Sequence, residues 1–282
     1  MSRQHATPRA YGDPQMSIDE MFTQAETGQA TVADGWGQGR ATYGGIVAGM
    51  LLARAEALCA DSARTLSTAS VVFAGPVAPG DATIDGTVLR AGSSATHVDV
   101  KMVQEGTVRA AMLASFGAPR ETAVSFHSAL RDERPELPEP ESVYAVPFIE
   151  GVTPAFIEHV ELRYASGGLP VTAAAEPDFG GWMRFRQAPQ QFGMRELIAL
   201  TDAWPPALLP MFEQPAPIST LTWTFQPIPY DASDVSDDPE AHWQYDARTV
   251  AADGGYTQAN ARVWDRAGRL RAISTQTVAY FG

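Results

Sequence analysis

Several residue types and motifs are scarce or missing in this chain, and each shortage excludes a class of protein. Among 282 residues, Cys59 is the one cysteine, so neither an internal disulfide nor a cysteine-rich zinc site can form. Lys101 is the one lysine, and the formal net charge is −13. Such a chain would repel the phosphates of DNA or RNA, so we expect no nucleic-acid partner. The single cysteine fits a reducing compartment.

Long apolar runs are missing as well. The longest apolar stretch, residues 46–60, is interrupted by Arg54 and Glu56, and residues 1–16 contain no apolar core of a signal peptide. We therefore expect a cytoplasmic protein without a membrane segment. With 45% hydrophobic and 19% charged residues, the chain has the composition of a globular protein with one large or two ordinary domains.

Two common catalytic signatures are also absent. No G-x-S-x-G motif occurs, which argues against a serine hydrolase of that type. The histidines lack the spacing of metal ligands. They are His5, His97, His127, His159 and His242. The sequence predicts neither a metal nor a cofactor.

An internal repeat is the main positive feature. Two segments, one near the middle of the chain and one at its C-terminal end, read as strand, glycine turn and strand. When Gly106 is aligned with Gly268, both segments carry Arg-Ala three residues later, but Ala114 falls opposite Gln276. A duplicated scaffold with a polar group in one copy predicts one active site for each pair of repeats.

Helical and strand patterns alternate in both halves. Residues 43–58 have apolar side chains at helical spacing, and residues 191–203 predict a second helix that Pro205 and Pro206 stop. Runs with strand character, separated by Gly and Pro, cover 66–74, 82–89, 97–104, 108–116, 156–164, 181–186, 218–225, 242–249, 257–264 and 270–281. A curved sheet wrapped around each helix is the expected arrangement.

Residues 119–147 are rich in proline and glutamate. This composition fits either a linker or an irregular surface loop. The repeat on both sides favours a linker. We therefore expect an N-terminal domain at 1–118, a linker at 119–147 and a C-terminal domain at 148–282.

Four pieces of the chain, in this order, resemble the double-hotdog acyl-CoA thioesterases of the TesB-like, type II group. They are YGGIVAGMLLARA, VVFAGPVAPGD, LTDAW and GRLRAISTQTVAYF. The resemblance implies an α+β fold in which two long helices are each wrapped by a curved antiparallel sheet, the two sheets being fused into one. It implies hydrolysis of a fatty acyl-CoA, with the acyl chain in an apolar tunnel between the halves, and a homodimer or higher homo-oligomer.

The resemblance also implies the residues of the site. Asp202, Thr220 and Gln276 would hold the hydrolytic water, and the backbone N–H groups of Gly44 and Gly45 would receive the substrate oxygen at a helix start. Other interpretations of these residues stay open at this point. An aspartate at a helix end is commonly exposed, a glycine pair can serve a tight turn, and a neighbouring serine could replace the threonine.

Two rival functions on the same fold are an enoyl-CoA hydratase or dehydratase and a non-catalytic acyl-CoA binding protein. The first resembles a family with a histidine close to the helical aspartate, and the sequence near Asp202 contains none. The second would need no complete set of polar residues. Because Ser219 stands beside Thr220, the sequence does not decide which of the two is the site hydroxyl. The non-catalytic acyl-CoA binding protein therefore stays open as an alternative.

Overall fold

The computed structural model describes residues 16–124, 134–228 and 238–281. Within these ranges the helices are α1 Ile18–Glu26, α2 Gly44–Cys59 and α3 Met194–Thr201. The strands are β1 Gln29–Val32, β2 Gly37–Gln38, β3 Ala41–Thr42, β4 Thr65–Phe73, β5 Gly80–Ala91, β6 Ala95–Gln104, β7 Thr107–Gly117, β8 Val160–Gly167, β9 Phe179–Phe185, β10 Ile218–Pro227, β11 Trp243–Asp253, β12 Tyr256–Trp264 and β13 Leu270–Tyr280.

In the described part of the chain, eleven strands form one sheet in the order β1-β5-β6-β7-β4-β10-β13-β12-β11-β9-β8. The order is symmetrical about the contact between β4 and β10, since β7 matches β13, β6 matches β12 and β5 matches β11. β4 and β10 pair antiparallel, with Val71 opposite Trp223. The predicted fusion of two half-sheets into one continuous antiparallel sheet is confirmed.

The two glycines that align the repeats occupy equivalent turns. Gly106 joins β6 to β7 and Gly268 lies between β12 and β13, with φ angles of 71° and 78°. This left-handed region favours glycine because a side chain would clash there. The repeat in the sequence is therefore a repeat of the same hairpin in the fold.

The central helix α2 is buried on nearly every side. Residues Gly45 to Ala53 are all buried, and β5, β6 and β7 curve around the helix while α1 and α3 pack against it. A helix that is apolar around its whole circumference belongs in a core. Its bounds agree with the predicted helix at 43–58. No helix in the described ranges is both long and apolar enough to cross a membrane.

The second predicted helix is shorter than expected. α3 covers eight residues instead of 191–203. It begins after Gly193, whose N–H donates a hydrogen bond of 2.7 Å to the Glu196 carboxylate, and it ends at Thr201, with Asp202 as the C-cap residue. The expectation of two long helices is thus wrong for α3. Arg195 anchors this short helix through ion pairs with Glu26 on α1 and Glu56 on α2.

Helix α1 was not predicted, although its start carries a recognisable signal. The Ser17 N–H donates to the Glu20 carboxylate at 2.8 Å, and the Glu20 N–H donates to the Ser17 hydroxyl at 3.2 Å. This reciprocal pair is a capping box, written S-I-D-E in the sequence. The helix buries Met21 and Phe22 against α2.

The strand predicted at 156–164 begins too early. Residues Ala155–Glu158 form a 3-10 helix after Pro154, and β8 starts at Val160. The Ile157 N–H donates to the Pro154 carbonyl at 3.1 Å, which closes the turn. The turn places the Phe156 ring on the Tyr43 ring, with centroids 4.4 Å apart.

The described part of the predicted linker packs against the sheet. Residues 134–146 lie against the outer face of the second half-sheet, the face away from the helices. Trp182 donates its indole N–H to the Pro138 carbonyl at 2.9 Å, and Gln244 donates to the Pro135 carbonyl at 2.8 Å. Residues 125–133 lie outside the described ranges.

Candidate active site

The end of α3 and the start of α2 meet at one carboxylate. Asp202 is the residue that follows α3. Its Oδ1 accepts a hydrogen bond of 2.8 Å from Nε2 of Gln276 on β13, and its carboxylate also accepts one from the backbone N–H of Gly45 on α2. Three of the residues predicted from the sequence therefore lie in direct contact, although they come from three elements.

The glycine pair is required by this close approach. A Cβ at Gly44 would stand 2.7 Å from Oδ2 of Asp202, and a Cβ at Gly45 would collide with the Ala199 carbonyl oxygen and the Tyr43 ring. The Tyr43 hydroxyl donates a hydrogen bond to that same Ala199 carbonyl. The two helices thus satisfy each other's free end groups, and only glycine leaves enough space for them to do so.

Asp202 titrates near neutrality. Burial raises the pKa of its carboxyl from the ordinary value of 3.8 to about 7, while the hydrogen bonds from Gln276 and Gly45 act in the opposite direction. The negative end of α3 disfavours a carboxylate, and the positive end of α2 favours it. A carboxyl with a pKa near 7 is suited to accept a proton from water at physiological pH.

Two buried tyrosines near this carboxyl were not predicted. Burial, followed by the charge of Asp202, raises the pKa of Tyr43 and that of Tyr245, so both hydroxyls stay protonated. Tyr43 directly precedes the glycine pair, which was an available signal. Tyr245 occupies an inward-facing position of β11 and carries no sequence signal beyond the alternation of the strand.

Thr220 lies on the same face of the sheet as Gln276, but it is level with Val278, two residues further along β13. It pairs with Val278, whereas Trp223 pairs with Gln276. Ser219 pairs with Ala279 and is exposed on the opposite face. In the described ranges, no hydrogen bond joins Thr220 to Asp202 or Gln276, so its role stays a prediction.

Among the described histidines, none makes a hydrogen bond or an ion pair with Asp202 or Gln276. His159 stacks on Trp36 with ring centroids 4.2 Å apart, and His242 contacts the Glu161 carboxylate at 2.9 Å. His5 and His127 lie outside the described residues. Where the chain is described, no three His, Cys, Asp or Glu side chains are grouped as they would be around a metal ion.

Comparisons with known proteins bear on both halves. The family model for the acyl-CoA thioesterase N-terminal domain matches residues 32–117, and that for the acyl-CoA thioesterase C-terminal domain matches residues 132–280. A search among curated proteins found no match.

Solved structures share the fold at low sequence identity. A protein of unknown function with a hot dog fold from Alicyclobacillus acidocaldarius has a TM-score of 0.77 and 23% identity, over 90% of this chain and 92% of that one. The acyl-CoA thioesterase II TesB2 from Mycobacterium marinum has a TM-score of 0.70 and 18% identity, over 94% and 98%. The double-hotdog arrangement implied by the resemblance is thereby confirmed.

Gly45→Ala tests the contact between the two helices. We expect it to lower the free energy of unfolding by about 1–3 kcal/mol, because the added methyl meets a backbone carbonyl that cannot turn away. Gly44→Ala should be milder, since its methyl meets side-chain atoms of Asp202 and Phe73. Urea denaturation measures both, with Gly92→Ala as a control because no atom lies closer than 3.4 Å to its added methyl. Equal stability of all three variants would contradict the requirement for glycine.

Proposed function

Because the chain belongs to the acyl-CoA thioesterase family and is a thioester hydrolase, we propose that it hydrolyses a fatty acyl-CoA to the free fatty acid and coenzyme A at Asp202, Gln276 and Thr220. One observation carries the proposal. The Asp202 carboxyl has a pKa of about 7 and is held by Gln276 and Gly45 at the junction of two helices.

In the proposed reaction, Asp202 is the general base. Its carboxylate takes a proton from a water molecule, and the water oxygen bonds to the thioester carbonyl carbon. Gln276 and Thr220 orient that water. Since Gln276 already donates one N–H to Asp202, its other polar atoms are the ones that can contact the water.

The carbonyl oxygen gains negative charge in this step and needs a hydrogen-bond donor. The Gly45 N–H already donates to Asp202, so the Gly44 N–H is the donor of this pair that can meet the substrate oxygen. Collapse of the intermediate breaks the carbon–sulfur bond. The thiolate of coenzyme A leaves and takes the proton that Asp202 had accepted.

We further propose that the two halves, residues 1–118 and 148–282, work as one unit with 119–147 as their connection. The first half supplies the glycines of α2. The second half supplies Asp202 and Gln276. This division supports one site for each pair of repeats.

Asp202→Asn should lower kcat by about 10²- to 10⁴-fold, the usual effect of removing a positioned acid or base. The amide keeps the shape of the carboxyl and still accepts the Gly45 N–H bond, and the Gln276 amide can reverse to accept the new N–H. The fold should therefore persist. Thiol release from acyl-CoA measures the rate, and circular dichroism checks the fold.

Companion variants separate the proposed roles. Gln276→Ala should reduce kcat less than Asp202→Asn, because orienting the water is one of several contributions. Thr220→Val should reduce it, whereas Ser219→Ala on the opposite face should leave it unchanged. Full turnover by Asp202→Asn would remove this carboxyl from the mechanism.

The rate should also depend on pH in a defined direction. Since Asp202 acts as a base, kcat/KM should rise as pH increases through about 7 and then level off. The Gln276 amide stabilises the charged carboxylate, so Gln276→Ala should move the midpoint to higher pH. A profile without an acid limb, or a midpoint that does not move in Gln276→Ala, would argue against the assigned base and its partner.

We also propose that the chain forms at least a homodimer. On the outer face of the first half, Val72 and Leu113 are each 46% exposed on neighbouring strands, while residues 134–146 cover the corresponding face of the second half. Exposed apolar sheet faces are commonly covered by a second subunit. Light scattering at high micromolar concentration should give a mass of two chains or more, and a monomer there would refute this proposal.

A further inference from the structure

A small cavity lies beside Gln276 on the helix-facing side of the second half-sheet. Its floor consists of the small side chains Ala247, Ala259 and Ala261, and residues 205–207 form the opposite wall. The cavity has a volume of about 10 Å³, which is room for about one water molecule or one methyl group. All of its lining residues belong to the second half, so it is not a tunnel between the halves.

The pairing of β11, β12 and β13 shows which residues an acyl chain would pass as it leads away from Gln276. On β12 and β13, Ala259 pairs with Gln276, and Ala261 pairs with the next inward position, Ser274. Ala261 also pairs with Ala247 on β11. Tyr245 lies two residues before Ala247 on the same face of β11, and it also lines the cavity. An acyl chain leading away from Gln276 over the alanines would therefore meet Tyr245.

Tyr245 is held in place by an aromatic stack. Its ring lies parallel to that of Trp204, with centroids 5.3 Å apart and an angle of 6° between the planes. Trp204 in turn contacts the rings of Tyr164 and Phe179. A Cβ at Gly181 would come within 2.6 Å of the Trp204 ring, so this glycine lets the tryptophan sit against the sheet.

The space behind Tyr245 is thus filled by other rings, and Tyr245 cannot turn away into it. Close-packed interiors resist such movements because every displaced ring needs space elsewhere. A longer acyl chain could enter only if several aromatic side chains moved together. Three alanine methyl groups give the cavity an apolar part that suits a short hydrocarbon chain, while Asn260, Ser274 and Gln276 also line it.

We propose that Tyr245 determines substrate specificity by limiting the acyl group to a short chain, so that the substrates are short-chain acyl-CoA thioesters. The inference rests on the proposed function, because it assigns the cavity beside Gln276 to the acyl group of that reaction. It concerns the length of the chain and leaves the roles of Asp202 and Gln276 as they are.

The test compares kcat/KM for acetyl-, butyryl-, octanoyl- and palmitoyl-CoA, with thiol release as the readout. The wild-type protein should prefer acetyl-CoA, whose methyl group the cavity can hold, and kcat/KM should fall with each longer substrate, by at least about tenfold from butyryl to octanoyl, because added methylene groups do not fit the pocket. Tyr245→Ala should raise the octanoyl value relative to butyryl by about tenfold, because removing the ring extends the cavity.

Three further variants show whether the ring itself is responsible. Tyr245→Phe keeps the ring and should retain the wild-type order of substrates. Phe192→Ala removes a ring that stacks on Trp243, which lies on β11 like Tyr245, with centroids 4.9 Å apart. Phe192 does not line the cavity. It should also retain that order, which controls for general loosening. Ala247→Val narrows the floor, so it should lower the butyryl value relative to acetyl even if Tyr245→Ala fails to fold.

The outcomes separate this inference from the proposed function. If the wild-type protein hydrolyses no acyl-CoA, the proposed function fails and this inference fails with it. If the wild-type protein hydrolyses palmitoyl-CoA as well as butyryl-CoA, the inference alone is wrong. It is equally wrong if neither Tyr245→Ala nor Ala247→Val changes the ratios between substrates, or if Phe192→Ala changes them as much.

Discussion

The site depends on the contact between the start of α2 and the end of α3. A helix start leaves N–H groups without partners and a helix end leaves carbonyl groups without partners. Here each helix serves the other, since the Gly45 N–H meets Asp202 and the Tyr43 hydroxyl meets the Ala199 carbonyl. A side chain in place of Gly45 would separate these groups. The carboxylate of one half is thereby fixed against the helix of the other half.

The symmetry of the fold makes its one asymmetry informative. Ala114 on β7 is fully buried between Ala69 and Val98, so its position in the first half is apolar. At the matching position in the second half, Gln276 instead donates a hydrogen bond to a carboxylate. The two half-sheets share a scaffold, and the polar Gln276 distinguishes the half that holds the buried Asp202 carboxyl.

The sequence predicted what depends on local pattern and repetition. The apolar periodicity of α2, the hairpins at Gly106 and Gly268 and most strands were predicted because each follows from a spacing or a turn residue. The length of α3 was not, because Glu196 caps it and Asp202 ends it through contacts made in the folded chain. The neighbourhood of Tyr245 was hidden for the same reason, since its stack joins residues distant in sequence. The resemblance placed Asp202 and Gln276 in one site, but the hydrogen bond that joins them directly became visible only in three dimensions.

The raised pKa of Asp202 connects the chemistry of the site to the stability of the fold. The folded state binds a proton at this carboxyl more tightly than the unfolded state, whose pKa is near 3.8. Its contribution to stability is therefore fully present below that value and is lost as pH rises through about 7. Asp202 thus contributes least to the stability of the fold in the pH range where its carboxyl is charged. The hydrogen bonds from Gln276 and Gly45 reduce this conflict, because they stabilise the charged form without returning it to water.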